Sequence, residues 1–338
     1  MKTAGTQSSE VAFDFPSARD AEFPTLVQIA LMHYICNSRC LYCPVGLVKR
    51  GVLGQDRQGE FDPNRRCFFP FGLFGKIADE MAEHPSSILR LHGRGEPLLH
   101  PQYVEMIACA KKAGVGTVTS FTNAILLDER RSEEILNAGI DLLELSIDAY
   151  SEDLYHLLRG TNHFRQVVHN AEAFIRIRNR RSAATKTRVV VSAVDSPDFQ
   201  PEKTLFREFW SERADMVIFR PYHTYGGRLR SLSACAPPEP VPCAQLWTRF
   251  SVNPWGQVNA CFNDWGDQEV VGSLTEPGAS VASVWRGQRF ESIRKASLER
   301  RAELKCCRTC LATLTSWTET YQVLLEKLRA APPNTALN

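Results

Sequence analysis

The chain has 338 residues, 43% of them hydrophobic, and carries 40 Lys plus Arg against 38 Asp plus Glu for a formal charge of +2. That length suits two domains, or one large domain with an appendage, and can bury a core that needs no covalent cross-links. The near-neutral charge excludes a nonspecific nucleic-acid binder, and no run approaches the ~18 apolar residues of a membrane-spanning helix. The sequence holds 11 cysteines, yet its polar opening stretch contains no apolar signal core. A cytoplasmic protein is therefore expected, with sulfur used for metal binding or thiol chemistry rather than disulfides.

Residues 1–25 read as an amino-terminal extension. Residues 26–35 form an apolar, β-branched run, and Cys36-Asn-Ser-Arg-Cys40-Leu-Tyr-Cys43-Pro follows it at once. Residues 44–70, with scattered glycines and charges, are expected as a long loop or partly helical insert. Periodicity then alternates: helix 71–84, strand 88–91, helix 101–113, strand 115–121, helix 128–138 ending at Gly139, and strand 142–147. Helices 152–158 and 164–178, strand 188–192, helix 202–213 and strand 216–220 complete the series. The basic run RIRNRRS, Arg176 to Ser182, reads as the solvated end of a helix. About six short strands separated by helices predict an α/β fold with a parallel sheet, and a site at the carboxyl ends of its strands. Pro237, Pro238, Pro240 and Pro242 mark a break after a first domain at 26–235. A second unit is expected at 236–320, with a terminal helix and frayed tail at 321–338.

Three cysteines at a strand-to-loop junction can converge on one cluster and leave a fourth iron without a protein thiolate, although the spacing alone also admits zinc. Later segments narrow the choice. Gly93-Arg94-Gly95-Glu96-Pro97 follows the second strand, Thr122-Asn123-Ala124 the third and Ser146-Ile147-Asp148 the fourth, with Tyr155 and Arg159 beyond. Taken singly these have plain structural readings: Asp148 capping a helix, Ser146 satisfying a backbone group, Tyr42 filling the core. In this order at successive strand ends, residues 26–220 resemble the radical S-adenosylmethionine (SAM) superfamily. Arg94 and Ala124 stand where that pattern usually has glycine.

The resemblance implies a partial (β/α)6 TIM-like barrel followed by a small cysteine-rich auxiliary-cluster domain. It implies a [4Fe-4S] cluster on Cys36, Cys40 and Cys43, with SAM bound near Tyr42, Gly93, Gly95, Glu96, Pro97, Thr122, Asn123, Ser146, Asp148 and Arg159. A flavodoxin or ferredoxin-like donor would supply the electron, and the resulting 5'-deoxyadenosyl radical would remove hydrogen from an unactivated carbon.

Downstream, Cys243, Cys261 and Cys307-Arg-Thr-Cys310 resemble the twitch module, a shortened relative of the SPASM module. Four thiolates would saturate a second [4Fe-4S] cluster and leave it to electron transfer or structural support. Cys306 offers a shifted register, and four thiolates also suit zinc. Cys67, Cys109 and Cys235 remain outside both sets.

The short stretch before the barrel leaves no room for a peptide-recognition domain, so a small sugar, cyclitol or nucleoside substrate is expected. Arg220, Tyr222, His223, Tyr225 and Arg228 follow the last strand. Arg220, His223 and Arg228 are candidates to orient substrate, the plain alternative being a loop that packs the domains together. Cys235 is a candidate hydrogen donor or simply a linker cysteine. The expected outcome is oxidation of a carbinol carbon in antibiotic or natural-product biosynthesis. The alternatives are redox-neutral decarboxylation of a sugar-nucleoside uronate, epimerisation of a glycoside, or peptide maturation.

Overall fold

All six strands of the alternating series form, and they lie side by side in chain order. The computed structural model describes residues 22–52, 67–181, 187–225, 229, 243–307 and 310. Strands β1 (Leu26–Ile29), β2 (Ile88–Leu91), β3 (Thr117–Thr122), β4 (Leu142–Ser146), β5 (Arg188–Asp195) and β6 (Met216–Pro221) pair in parallel, each with its sequence neighbour. Side chains alternate across such strands, so each supplies two different surfaces. Val27, Leu89, Val118, Leu143 and Val189 join the large core shared with the helices. Leu26, Ile88, Leu142 and Val190 form a separate apolar floor inside the curved sheet. One alternation further along β1, β2 and β4, the inner surface turns polar with Gln28, Arg90 and Glu144.

The helices end close to their sequence signals. Asp128 accepts a hydrogen bond from Arg131 N and caps helix Glu129–Ala138, while Gly139 closes it in the left-handed conformation. Ser151 and Gly160 frame Glu152–Arg159 in the same way. The long run at 26–35 is strand only to Ile29, because the chain beyond it turns to make isolated bridges, Met32 to Phe68 and Ile35 to Gly95. Within the insert, Pro44–Lys49 is a short helix, with Pro44 in the first turn where its missing N–H costs nothing.

The sheet does not stop at the barrel. Strand β7 (Arg249–Val252) runs parallel to β1, and β8 (Gln257–Asn259) and β9 (Val270–Ser273) extend it antiparallel. The result is one nine-stranded sheet in the order β6-β5-β4-β3-β2-β1-β7-β8-β9. Helices Val281–Trp285 and Gln288–Glu299 follow. Glu80, on helix Phe71–Ala82, accepts hydrogen bonds from Val281 N at 2.7 Å and Ala282 N at 2.8 Å, tying the barrel to the start of the first of these helices. The break expected at 235–236 and the terminal helix at 321–329 lie outside the described residues. Among the described residues no helix is long and apolar enough to cross a membrane.

Candidate active site

Cys36, Cys40 and Cys43 reach one cavity of about 180 Å³ at the carboxyl ends of the strands. Their loop is pinned to helix Glu152–Arg159 by Arg39 N to Arg159 O at 3.0 Å and Leu41 N to Leu158 O at 2.7 Å. Lys49 donates to the Cys36 carbonyl. A side chain at Gly46 would lie 2.0 Å from the Cys40 carbonyl, so only glycine lets the next helix pack on the loop. Asn123 donates to Asn37 Oδ1 at 2.7 Å and to Ser38 Oγ at 3.2 Å, fixing the loop from the end of β3. Burial, then the Cys40 and Glu96 charges, drive the Cys36 thiol up. Burial and Cys40 push Cys43 up to about 12. Thiols that oppose one another's ionisation in a buried site fit a cationic inorganic cluster, which binds them as thiolates.

The remaining expected SAM contacts gather around the same cavity, but several are also engaged with one another. Glu96 accepts from Thr122 Oγ1 at 2.7 Å, Asn123 N at 2.9 Å and Leu98 N at 3.2 Å, so its carboxylate organises the rim as well as facing it. Burial nonetheless raises its pKa, despite these bonds and the nearby Arg159 charge. Asp148 joins Arg159 at 3.0 Å and accepts from Val194 N at 2.8 Å. Arg159 in turn donates to the Ser146 carbonyl and lies 3.5 Å from Cys40 Sγ. Gly95, Pro97, Thr122, Ser146 and Tyr42 line the cavity, and the Tyr42 hydroxyl donates to Asp198. Gly93 lies instead in a smaller recess facing the auxiliary part. A side chain at Gly95 would lie 2.3 Å from the Ile35 carbonyl.

The two departures from glycine keep glycine's backbone. Arg94 has φ 57° and Ala124 has φ 60°, left-handed values that cost on the order of 1 kcal/mol each. Arg94 gains a compensating role. Its guanidinium meets Asp267 at 2.5 and 3.0 Å and the Asp264 carbonyl at 2.9 Å. Asp267 also accepts from Asn253 at 3.1 Å and Asn259 at 2.8 Å. Trp265, from the same loop, joins a small apolar cluster with Tyr34 and Val45, against which Cys36 and Cys43 pack.

That loop begins at Cys261. Burial pushes the Cys261 thiol well up, reinforced by Cys243, Cys307 and Cys310, which places all four within electrostatic reach of one another. Burial similarly takes Cys243 up to about 11. Cys306 Sγ lies 3.6 Å from Cys307 Sγ. The Cys306 hydrogen bond, opposed by burial but helped by Arg301, lowers the Cys307 pKa, whereas Cys306 itself is driven up. Among the described residues, no group of three His, Cys, Asp or Glu side chains is disposed to hold a single metal ion.

A second cavity of about 160 Å³ shares His92, Phe121, Ser146 and Arg220 with the first. It is also lined by His223, Tyr222, Arg90, Glu144 and Arg249. The Arg220 fork is not held open for substrate: Nε lies 2.9 Å from Glu144 Oε1, and Nη2 reaches Oε2, because a carboxylate buried inside a barrel needs a counter-charge. Arg228 and Cys235 lie outside the described residues. Sequence reasoning missed His92, Arg90, Glu144 and Arg249 as cavity residues. Their signal was available, since a charge at an inward position of a buried parallel strand requires a partner or a ligand.

The Radical SAM superfamily model matches residues 31–192, and the SPASM iron-sulfur cluster-binding domain model matches residues 243–311. A tungsten-containing aldehyde ferredoxin oxidoreductase cofactor-modifying protein from Pyrococcus furiosus is 32% identical over 131 residues, covering 37% of this chain and 33% of that protein. The match therefore spans about a third of that relative. BtrN, solved in complex with AdoMet and 2-DOIA, superposes with a TM-score of 0.57 at 17% identity, over 87% of this chain and 96% of its own. Streptococcus suis SuiB, solved bound to precursor peptide SuiA, gives 0.61 at 14% identity, over 87% of this chain and 71% of its own. These structures share the fold. Together the two models imply SAM and at least one iron-sulfur cluster as cofactors. The chain is an enzyme of the radical SAM superfamily with a carboxyl-terminal SPASM auxiliary iron-sulfur domain.

Proposed function

We propose that this enzyme removes hydrogen from a carbon of a small polar ring, a sugar, cyclitol or nucleoside, held in the lower cavity. The observation that carries this reading is the adjacency of two cavities of about 180 and 160 Å³, which share His92, Phe121, Ser146 and Arg220. The upper one has the thiols and hydrogen-bonding rim for a cluster and SAM. Bound there, these cofactors supply an electron and a carbon-centred radical able to take hydrogen from an unactivated carbon. The protein's own residues position the reacting carbon and exclude water.

Phe121 and Tyr225 form apolar parts of the shared wall, while Gln28, Tyr222 and His223 offer polar groups to a ring. His92 stacks on Phe121 at 4.4 Å, and burial together with Arg90 and Arg220 brings its pKa down to about 3. At neutral pH it is therefore an uncharged imidazole, suited to hydrogen-bond a substrate hydroxyl. Cys243, Cys261, Cys307 and Cys310 would hold a second cluster, which would exchange an electron with the site or support it.

The test is anaerobic reconstitution followed by strong reduction. Deoxyadenosine formed from SAM, and deuterium carried into it from a ring-labelled sugar or cyclitol, is the expected result. No SAM cleavage overturns the radical chemistry, and label transfer only from a peptide overturns the small-ring reading. The accompanying product separates the outcomes. A ketone equimolar with deoxyadenosine marks oxidation, carbon dioxide marks decarboxylation, and an inverted centre marks epimerisation.

A further inference from the structure

Residues 93–97, expected to contact SAM, have little side-chain material with which to fix themselves. Gly93 and Gly95 leave the backbone pliable on either side of Arg94, whose side chain is the one that anchors it. Arg94 is only 5% exposed, yet neither it nor its partner Asp267 lines the larger cavity. The guanidinium turns the other way, to the loop that begins at Cys261. Both ends of that contact are held in left-handed backbone, φ 57° at Arg94 and φ 53° at Asp267. A residue with a side chain keeps such a conformation where its surroundings over-determine it.

The auxiliary side of the contact is well braced. Asp267 accepts from Asn253, just after β7, and from Asn259 of β8. The Asp264 carboxylate accepts from Gln268 N at 3.1 Å and Glu269 N at 2.7 Å, which closes the loop on itself, and Asn263 N lies 3.4 Å from Cys261 Sγ. On the barrel side the backbone carries the constraint onward. The Arg94 carbonyl accepts from Tyr34 N at 2.8 Å, and Glu96 N donates to the Ile35 carbonyl at 2.9 Å, so the residues leading into Cys36 are tied to the same segment. A side chain at Gly95 would lie 2.4 Å from Met32 Cγ, which leaves that face no slack. Glu96 then orders Thr122 and Asn123 at the cavity rim.

We propose that Arg94 is a positioning residue through which the loop after Cys261 sets the SAM-binding segment, so that SAM affinity depends on an ion pair made outside the SAM cavity. This goes beyond the substrate reading and does not depend on it, because SAM binding requires no sugar. With the pair intact the segment is already in place. Without it, a glycine-flanked stretch samples more conformations and SAM must order it on binding, which weakens affinity. By linkage, bound SAM steadies the auxiliary loop in return.

The test is equilibrium dialysis of SAM with the anaerobically reconstituted, unreduced enzyme, in which nothing is cleaved, under conditions well below the unfolding transition. Asp267→Asn removes the charge partner at constant size, and asparagine accepts left-handed backbone; SAM should bind about 10-fold more weakly. Arg94→Gly should weaken binding by a similar factor, and the double variant by no more than either alone, because both break one contact. Wild type supplies a measurement that needs no variant to fold: SAM should slow hydrogen exchange at the amides of residues 264–269. A contact that merely stabilises the fold gives a different pattern. Denaturant midpoints then fall while the folded variants bind SAM as wild type does, and that result overturns the proposal. Additive losses of affinity in the double variant, or exchange at residues 264–269 that is the same with and without SAM, overturn it as well.

Discussion

Cys36, Cys40 and Cys43 reach their cavity from one loop after β1, whereas Cys243, Cys261, Cys307 and Cys310 are gathered from separate pieces of the auxiliary part. The first site is prepared locally. Its loop is held by the backbone of helix Glu152–Arg159, by Gly46 and by Asn123, so the geometry follows once β1, β3 and that helix are in place. The second depends on the hairpin, the loop after Cys261 and the turn at Cys307 all folding correctly. Yet the two are mechanically joined, because Arg94 and Trp265 connect the loop of one to the surroundings of the other. The difference teaches that a site read from contiguous spacing can still depend on a distant part of the chain for its rigidity.

The sharpest separation comes from the cysteines themselves. Cys40→Ala should abolish SAM cleavage under strong reduction while leaving iron at the second site. Cys261→Ser should do the reverse, lowering iron per chain but retaining cleavage in the absence of substrate. Iron analysis with deoxyadenosine assay checks both, and cleavage by Cys40→Ala would erase the proposed division. Next in size is the join. Arg94→Gly relieves a left-handed arginine but leaves Asp267 without its charge partner, so unfolding free energy should fall by on the order of 3 kcal/mol in denaturant titration. Unchanged stability would mean that the join carries little.

The same pair gives a pH dependence. Burial pushes Asp267 up, but the Arg94 hydrogen bond and charge, aided by Asn253 and Asn259, outweigh it and hold its pKa below the usual value. The folded state thus binds this proton less readily than the unfolded chain. The contribution is present above the ordinary aspartate range and is lost as pH falls through the depressed value. Denaturant titrations across acidic pH should show a smaller acid-induced loss in Asp267→Asn than in wild type.

Within the second site, Cys307→Ser should remove cluster absorbance whereas Cys306→Ser should retain it, a result that reverses if the register is shifted. The smallest expected effect lies at the Glu80 contact. Glu80→Ala removes the acceptor for Val281 N and Ala282 N and should cost about 1 kcal/mol in thermal or denaturant unfolding.

Much of the barrel was legible because helical and extended periods alternate cleanly. Gly139 marked a helix end in advance, whereas the caps at Asp128 and Ser151 emerge only with the side-chain hydrogen bonds they accept. The upper site was legible for a related reason: its residues occupy successive strand ends. The lower cavity was not, because Arg90, Glu144 and Arg249 acquire meaning only when parallel pairing turns them inward and brings β7 beside β1. Arg94 was visible as a departure from glycine, but its partner Asp267 is remote in sequence and no local pattern links them. Likewise, Arg220 offered a free fork on paper, while the fold gives that fork to Glu144.

The position of β1 between β2 and β7 also bears on how the chain acquires its structure. During synthesis, β1 emerges well before its second neighbour β7, which is encoded more than 200 residues later. Until β7 arrives, a row of backbone donors and acceptors on an apolar strand is available to other chains. Such a long-range closure slows folding and lengthens exposure to aggregation. Truncation before β7 would make that temporary vulnerability permanent, so the auxiliary segment also serves as the cover for the barrel's first edge.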